Sequence, residues 1–117
     1  MWQGPKIISD KIKAIRLIVS QKLQLLGETI TAAGAVSVST PVSYLYTGAA
    51  IAITLANGIE GQVKTIIMTN DGGTATLTPT SYANGTTIVF DDVYDMWQGI
   101  FHAGSWYNIG TPTATCS

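Results

Sequence analysis

The segment from Gln62 to Phe90, QVKTIIMTNDGGTATLTPTSYANGTTIVF, constrains the fold of this chain more than any other segment. Over residues 63–69 the side chains alternate between two faces, one of which carries Lys64, Ile66 and Met68, as in a β-strand. The turn-forming run Asn70–Gly73 follows, and Asn84-Gly85 marks a second turn before a further strand. The segment therefore predicts three short strands separated by two glycine turns, of which the first closes a tight hairpin and the second is a further hairpin signal.

Short β-type segments continue on both sides of this run. They lie at residues 28–31, 35–40, 42–47, 48–57, 96–102 and 106–110. Roughly eight to ten strands with turn signals between them are typical of an all-β domain. We therefore predict a small antiparallel β-sandwich or barrel-like domain over residues 22–117. The chain has no exact internal repeat, which disfavours a solenoid of fixed period.

The segment before residue 22 is predicted to be an N-terminal arm, residues 1–21, and its secondary structure stays open. A helical stripe of apolar residues comprises Ile8, Ile12, Ile15, Val19, Leu23 and Leu26. The same stretch also alternates in part as a strand would, and its β-branched residues favour extended structure. The pattern favours a strand at 22–26 and leaves residues 9–20 undecided between helix and strand.

Charge is distributed unevenly along the chain. The net charge is −1, but five of the six basic residues precede residue 26, while six of the seven acidic residues follow it. A basic arm on an acidic body indicates that the arm docks onto a negatively charged surface. The residues predicted to anchor it are Lys6, Lys11, Lys13 and Arg16.

A low content of charged residues suggests that protein covers part of the surface. Charged residues make up 11% of the chain, against about 25% in typical soluble domains. We therefore expect a homo-oligomer, although the sixteen threonines offer another way to solvate the surface. The residues predicted to pack between subunits are Ile51, Ile53, Leu55, Trp97 and Phe101.

No spacing of residues predicts a catalytic, cofactor or metal site. Asp91, Asp92 and Asp95 form an acidic cluster, but without the DxDxDG pattern of a calcium loop, and contact with a neighbour's basic arm is the alternative interpretation. His102 has no partner at a catalytic spacing, and Cys116 is expected to be a solvent-exposed thiol in the tail. We therefore predict no enzyme activity, no metal and no cofactor.

Membrane and nucleic-acid partners are not expected either. The apolar stretch at 12–26 contains Lys, Arg, Ser and Gln throughout, so it cannot span a bilayer, and no signal peptide is apparent. The basic residues and the aromatic residues lie at opposite ends of the chain, which argues against a nucleic-acid interface. The C-terminal aromatic residues, which include Trp97 and Trp106, suit a core or subunit interface, with a carbohydrate platform as the alternative.

Three runs of the sequence resemble a known family of proteins. The runs are GETITAAGAVSVSTPVSYL, LANGIEGQVKTIIMTNDGGTATLTP and NGTTIVFDDVYDMWQGIFHAGSWYNIG. Together they resemble small structural proteins of tailed phages, particularly those of cyanobacterial phages: head fibres, capsid decoration proteins and fibre knobs. The resemblance covers about residues 22–110. One departure is Val93-Tyr94-Asp95, where that family often has Gly-Asp in the acidic turn.

The resemblance implies a trimeric, all-β component of the virion with no enzymatic activity. A capsid decoration (cement) protein or a head fibre on the outside of the capsid would contact the major capsid protein or another virion protein. The alternatives are a tail-fibre or receptor-binding tip, and a cellular β-sandwich that binds carbohydrate. The segment before residue 22 matches no part of the family, and it is the expected anchor to the particle.

Overall fold

The computed structural model describes residues 24–117, which form two five-stranded β-sheets around one core. The ten strands of this part of the chain are β1 (Gly27–Ile30), β2 (Gly34–Val36), β3 (Val42–Thr47), β4 (Ile51–Leu55), β5 (Val63–Asp71), β6 (Ala75–Pro79), β7 (Ile88–Phe90), β8 (Met96–His102), β9 (Ser105–Asn108) and β10 (Thr115–Cys116). Sheet A has the order β1-β3-β5-β8-β9, and sheet B has the order β10-β7-β6-β4-β2. The prediction of an all-β fold is confirmed, and two sheets around one core agree with the predicted sandwich.

The first six strands wind between the two sheets. The chain places β1, β3 and β5 in sheet A and β2, β4 and β6 in sheet B, and each of β1 to β4 pairs in parallel with the strand one winding later. The windings differ in length, since Gly27 pairs with Val42 whereas Val42 pairs with Thr65. This inequality explains why the sequence shows no fixed repeat. The sheets are therefore mixed, and the prediction of a purely antiparallel arrangement is wrong for this half.

The run Asn70–Gly73 joins two sheets and does not close a hairpin. It leads from β5 in sheet A to β6 in sheet B, so the predicted hairpin at this position is wrong. A Cβ atom at Gly72 or Gly73 would overlap the backbone of residues 47–50, which form the corner of the preceding winding. The Gly72 amide donates to the Thr47 carbonyl at 2.8 Å. Glycine is thus required at these two positions, because the backbone of this corner directly contacts the backbone of the preceding corner.

The last four strands pair antiparallel and complete the sheets. β7 pairs with β6, β8 pairs with β5, and β9 and β10 form the outer edges. The β8–β9 hairpin has Ala103 at φ 50° and Gly104 at φ 85°, two consecutive residues with positive φ, as in a type I′ turn. The predicted antiparallel pairing is confirmed for this aromatic hairpin and for the strands on either side of Asn84-Gly85.

The core lies between the inner faces of the two sheets. Alternation along β5 turns Lys64, Ile66 and Met68 inward, and each of them is fully buried. The apolar residues of the core are Val36, Leu45, Ile53, Leu55, Ile66, Met68, Ala75, Leu77, Ile88, Phe90, Trp97, Phe101, Trp106 and Ala114. Cys116 is half-buried in β10 and packs against this core, so the expectation of a solvent-exposed tail thiol is wrong.

Residues 24–26 lead into β1 without belonging to a strand, so this part of the strand predicted at 22–26 is wrong. The rest of that segment, the arm at 1–21 and the choice between helix and strand at 9–20 lie outside the described residues. Residues 24–117 contain no helix, and hence no helix that is long and apolar enough to cross a membrane.

Candidate functional site

The residues predicted to pack between subunits lie in the interior of the single chain. Ile53, Leu55 and Trp97 are at most 1% exposed, and Phe101 is 7% exposed. Ile51 is partly buried and packs against the same core. Because their own chain already covers these side chains, we assign them to the core and not to a contact between copies. Their alternation identified one buried face correctly, but it could not tell which protein surface covers that face.

An aromatic cluster, consisting of Tyr82, Trp97, Phe101 and Trp106, fills one side of this interior. The rings of Trp97 and Trp106 meet edge to face at 6.1 Å, and those of Phe101 and Trp106 at 5.2 Å. Asn108 Oδ1 accepts hydrogen bonds from Tyr82 Oη at 2.5 Å and from Trp97 Nε1 at 2.7 Å. A single amide thus satisfies the polar ends of two aromatic side chains, which lets the rings stay buried.

The burial of Trp106 bears on the alternative of a carbohydrate platform. Trp106 is fully buried, and its Nε1 donates to the Ala56 carbonyl at 3.0 Å. A platform for a sugar ring requires the face of an aromatic side chain to be open to solvent. Trp106 therefore cannot provide that platform in this fold.

The outer face of sheet A exposes apolar side chains, and we call it the apolar face. Its members are Tyr44, Tyr46, Val63, Ile67, Met96, Ile100 and Tyr107. Strand register places them in rows, since Tyr44 pairs with Ile67 and Ile67 with Met96. The five members Tyr44, Tyr46, Val63, Met96 and Tyr107 are between 37% and 54% exposed. The other exposed large hydrophobic side chains of the described residues lie in loops, so this face is where they are gathered on a sheet.

The outer face of sheet B differs in chemistry, and we call it the threonine face. Its members are Ala35, Ala52, Thr54, Thr76, Thr78, Val89 and Thr115. Thr54 pairs with Thr78, and Val89 pairs with Thr76 and Thr115. Among the described residues, none of the large hydrophobic side chains exposed to solvent lies on this face. Its small and hydroxylated side chains interact with water. On this face the threonines therefore serve as the sequence suggested in its alternative to self-association.

A buried lysine forms a polar site that the sequence did not reveal. Lys64 is fully buried, and its Nζ donates to the carbonyls of Ser37 and Thr40, both at 2.6 Å, and to Ser43 Oγ at 2.7 Å. Glu28 Oε1 lies 4.0 Å from this ammonium and accepts from Ser43 Oγ at 2.7 Å. We call Glu28, Ser37, Thr40, Ser43 and Lys64 the lysine cluster. It ties three neighbouring parallel strands of sheet A to the loop after β2.

The protonation of Lys64 reflects two opposing effects. Burial lowers the pKa of Lys64 to about 8, because desolvation disfavours its charged form. The Glu28 carboxylate opposes this shift by stabilising the ammonium. Three oxygen acceptors match the three donors of a charged lysine, so the site holds the cation without a ligand from solvent. In the sequence, the one indication that Lys64 would be buried was its position on the same strand face as Ile66 and Met68.

The acidic cluster is a hydrogen-bonded turn. The carboxylates of Asp91, Asp92 and Asp95 approach within 4.8 Å of one another. Asp95 Oδ2 accepts from the amides of Asp91 at 3.0 Å and Asp92 at 3.2 Å. The adjacent Asp95 raises the pKa of Asp91, because a protonated Asp91 donates a hydrogen bond to it and because like charges repel. Carboxylate oxygens suit hard cations, and the two backbone hydrogen bonds hold the Asp95 carboxylate in the turn.

His102 forms a surface pair with Glu60. Its Nδ1 lies 2.5 Å from Glu60 Oε2, and both side chains are mostly exposed. The pKa of Glu60 is lowered by this hydrogen bond and by a second one from the Ala103 amide. The pair fastens the loop before β5 to the β8–β9 turn. Within residues 24–117, the structure places no nucleophile or second histidine among these contacts.

Lys6, Lys11, Lys13 and Arg16, the predicted anchoring residues, lie outside the described residues. Comparison with known proteins finds no protein-family model that matches the chain, and no curated protein matches it either.

Proposed function

We propose that this chain is a structural, non-enzymatic protein of a tailed-phage virion, of the capsid decoration or head-fibre type. It assembles as a trimer on the outside of the capsid, where it stabilises or ornaments the shell. The observation that carries the proposal is the apolar face. The core is complete without these side chains, and yet five of the exposed large hydrophobic residues lie on it. Contiguous apolar surface on a folded domain marks a contact with another protein.

Attachment to the particle is assigned to the basic arm at residues 1–21. Residues before 26 carry a net charge of +4 and the remainder −5, which together give the net charge of −1. The capsid surface that receives the arm is expected to be acidic, on the major capsid protein or on another virion protein. Charge of this kind steers association and weakens as salt screens it.

Because the contact between this protein and the capsid is repeated across the lattice, each single contact can be weak. Each Å² of apolar surface that is buried contributes about 25 cal/mol. A trimer engages a capsid at several points, so each arm binds at a high effective concentration after the first has docked. The proposed role therefore requires shape, a closed apolar contact and an anchor, and it requires no chemistry at a catalytic centre.

The test of the proposal is the location of the protein in the virion. A reconstruction of the intact particle is expected to show it as trimers on the outer surface of the head. Its absence from purified particles would overturn the proposal, and a position at the end of a tail fibre would establish the receptor-binding alternative instead.

A binding assay tests the anchor separately. Full-length protein is mixed with particles from which it has been genetically deleted, and cosedimentation is measured. Changing Lys6, Lys11, Lys13 and Arg16 to Gln is expected to abolish attachment. The matched control exchanges Lys and Arg at the same four positions, which keeps the charge and should keep attachment. Equal binding by the two variants would contradict an electrostatic anchor.

A further inference from the structure

We infer that the apolar face is the contact between copies of this chain, and that three apolar faces meet around the three-fold axis of the trimer. The inference rests on the proposed function for the trimeric state and adds the surface that builds it. The residues predicted from sequence to form this contact lie in the core, so another surface must serve. Among residues 24–117, the apolar face is where exposed large hydrophobic side chains share one sheet.

Charge favours a second copy as the occupant of this face. Its central rows contain tyrosine, isoleucine, valine, methionine, threonine and glutamine. The ionisable side chain that β8 adds to this face is His102, which lies at the end of the strand, packs beside Tyr107 and is paired with Glu60. Gln98 Nε2 is already bonded to its neighbour on the face, Thr65 Oγ1, at 3.1 Å. Identical faces whose one charged pair lies at the rim can meet without burying an unpaired ion. A strongly charged partner would find no complementary charge there.

The area of the face is suited to such a contact. The strands of sheet A contain 4, 6, 9, 7 and 4 residues. Each residue covers about 4.8 Å across the sheet by about 3.3 Å along the strand, so the flat area is about 475 Å², and projecting side chains increase the accessible area. Stable complexes bury about 800 Å² on each partner, and weaker ones less than about 600 Å². A face of this size can thus supply most of one subunit's contact.

The threonine face serves as an internal comparison. It also spans five strands, but its side chains are small, and threonine hydroxyls hydrogen-bond well to water. Burying it would remove little apolar area and would desolvate several hydroxyls. We therefore place the three-fold axis beside sheet A and leave sheet B on the outside of the trimer.

Ile67 marks the centre of the apolar face, because it lies in the middle strand of sheet A and pairs with residues of β3 and β8. Thr78 lies on the threonine face in β6, the middle strand of sheet B, where it is exposed and pairs with Thr54 of β4. Ile67→Asp would bring three carboxylates together at the axis, whereas Thr78→Asp adds a carboxylate to a solvated surface. The two substitutions introduce the same side chain into the same type of structure.

Light scattering of the full-length protein at micromolar concentration separates these outcomes. Wild type and Thr78→Asp are expected to have the mass of three chains, and Ile67→Asp that of one chain of 12.4 kDa. A wild-type trimer that survives Ile67→Asp but is lost in Thr78→Asp overturns the inference while the trimer stands. A monomeric wild type overturns the trimer itself, and with it this inference.

Cysteine cross-linking identifies the occupant without depending on a destabilising charge. In a Cys116→Ser background, Ile67→Cys and Thr78→Cys each provide a single thiol for oxidation. Disulfide-linked pairs of chains are expected from Ile67→Cys and not from Thr78→Cys. Absence of pairs from Ile67→Cys in an intact trimer would overturn the inference, because it would mean that something other than a second copy covers the apolar face, such as residues 1–23 of the same chain.

Discussion

The lysine cluster and the aromatic cluster lie side by side on the inner face of sheet A, and they solve the burial of polar atoms in different ways. The register connects them, since Ser43 pairs with Ile66 and Ile66 with Trp97. The aromatic cluster buries large apolar rings whose few polar atoms are neutral and share Asn108 as acceptor. The lysine cluster buries a charge that is held by main-chain carbonyls and a hydroxyl.

The aromatic cluster and the lysine cluster therefore stabilise the fold through different interactions. Apolar area stabilises the aromatic side, so its contribution should not depend on pH, and it should decline with the volume that is removed. Hydrogen bonds satisfy the polar groups of the lysine cluster. The stability that this cluster contributes therefore depends on the protonation of Lys64 and on the presence of every hydrogen-bond partner. The following substitutions test this contrast.

Trp106→Ala is expected to lower the free energy of unfolding by about 3–5 kcal/mol, because it leaves a cavity beside Trp97 and Phe101. Urea denaturation at a fixed protein concentration measures the change. Trp106→Phe is the control, since it keeps an aromatic ring but loses the hydrogen bond to Ala56, and its cost should be clearly smaller. Equal losses in the two variants would mean that this hydrogen bond, and not the packed area, dominates on the aromatic side.

Lys64→Met is expected to cost about 2–3 kcal/mol, because the carbonyls of Ser37 and Thr40 lose their donor while the apolar volume is nearly kept. The same denaturation experiment applies. Glu28→Gln, which retains an acceptor oxygen for the Ser43 hydroxyl and the Ser37 amide, should cost less. A Lys64→Met protein as stable as wild type would show that the buried charge gives no net stabilisation.

The pH dependence of stability should distinguish the lysine side from the aromatic side. The folded chain releases the Lys64 proton near pH 8, whereas the unfolded chain holds it up to about pH 10.4. Between these values the unfolded state binds more protons, so stability from this group rises with pH, and its desolvation cost is fully present below pH 8. Relative to Lys64→Met, wild type should gain about 2 kcal/mol between pH 7 and pH 9.5. A constant difference would mean that the three oxygen acceptors keep the amine charged over this range.

Tyr82→Phe should have the smallest effect, about 1 kcal/mol. The substitution removes the hydroxyl that donates to Asn108 Oδ1, but the Trp97 indole still occupies the same acceptor. Thermal unfolding measures the loss of stability in Tyr82→Phe, and Asn108→Ala is the comparison. The Asn108 variant should be worse, because it leaves both aromatic donors without their partner. The reverse order would show that Asn108 is not the shared acceptor of the aromatic cluster.

Several elements could be predicted from sequence because they depend on neighbours along the chain. Alternation placed Lys64, Ile66 and Met68 on one face, and the turn signal between the segments predicted at 96–102 and 106–110 marked the β8–β9 hairpin. The path of the chain after Gly72-Gly73 could not be predicted in this way. The same flexible residues close a hairpin or turn a corner between sheets, and only the neighbouring winding decides between them.

The candidate surfaces show the same difference between features that depend on local sequence and features that depend on distant strands. The sequence indicated that Ile53, Leu55 and Trp97 would be covered by protein, and the structure shows that their own chain covers them. The apolar face was hidden in the sequence, because Tyr44, Ile67 and Met96 belong to three different strands. Side chains that are far apart in the chain form one surface only after the strands have paired.

The class of fold and the two faces of each long strand follow from the sequence alone, because a side-chain period of two is a local property of the backbone. The tertiary structure decided the parallel winding of the first six strands, the burial of Lys64 and the difference between the two outer faces. These features depend on pairing between strands that are distant in sequence. Such pairing follows from how the whole chain buries its apolar area and satisfies its polar groups, which no single segment encodes.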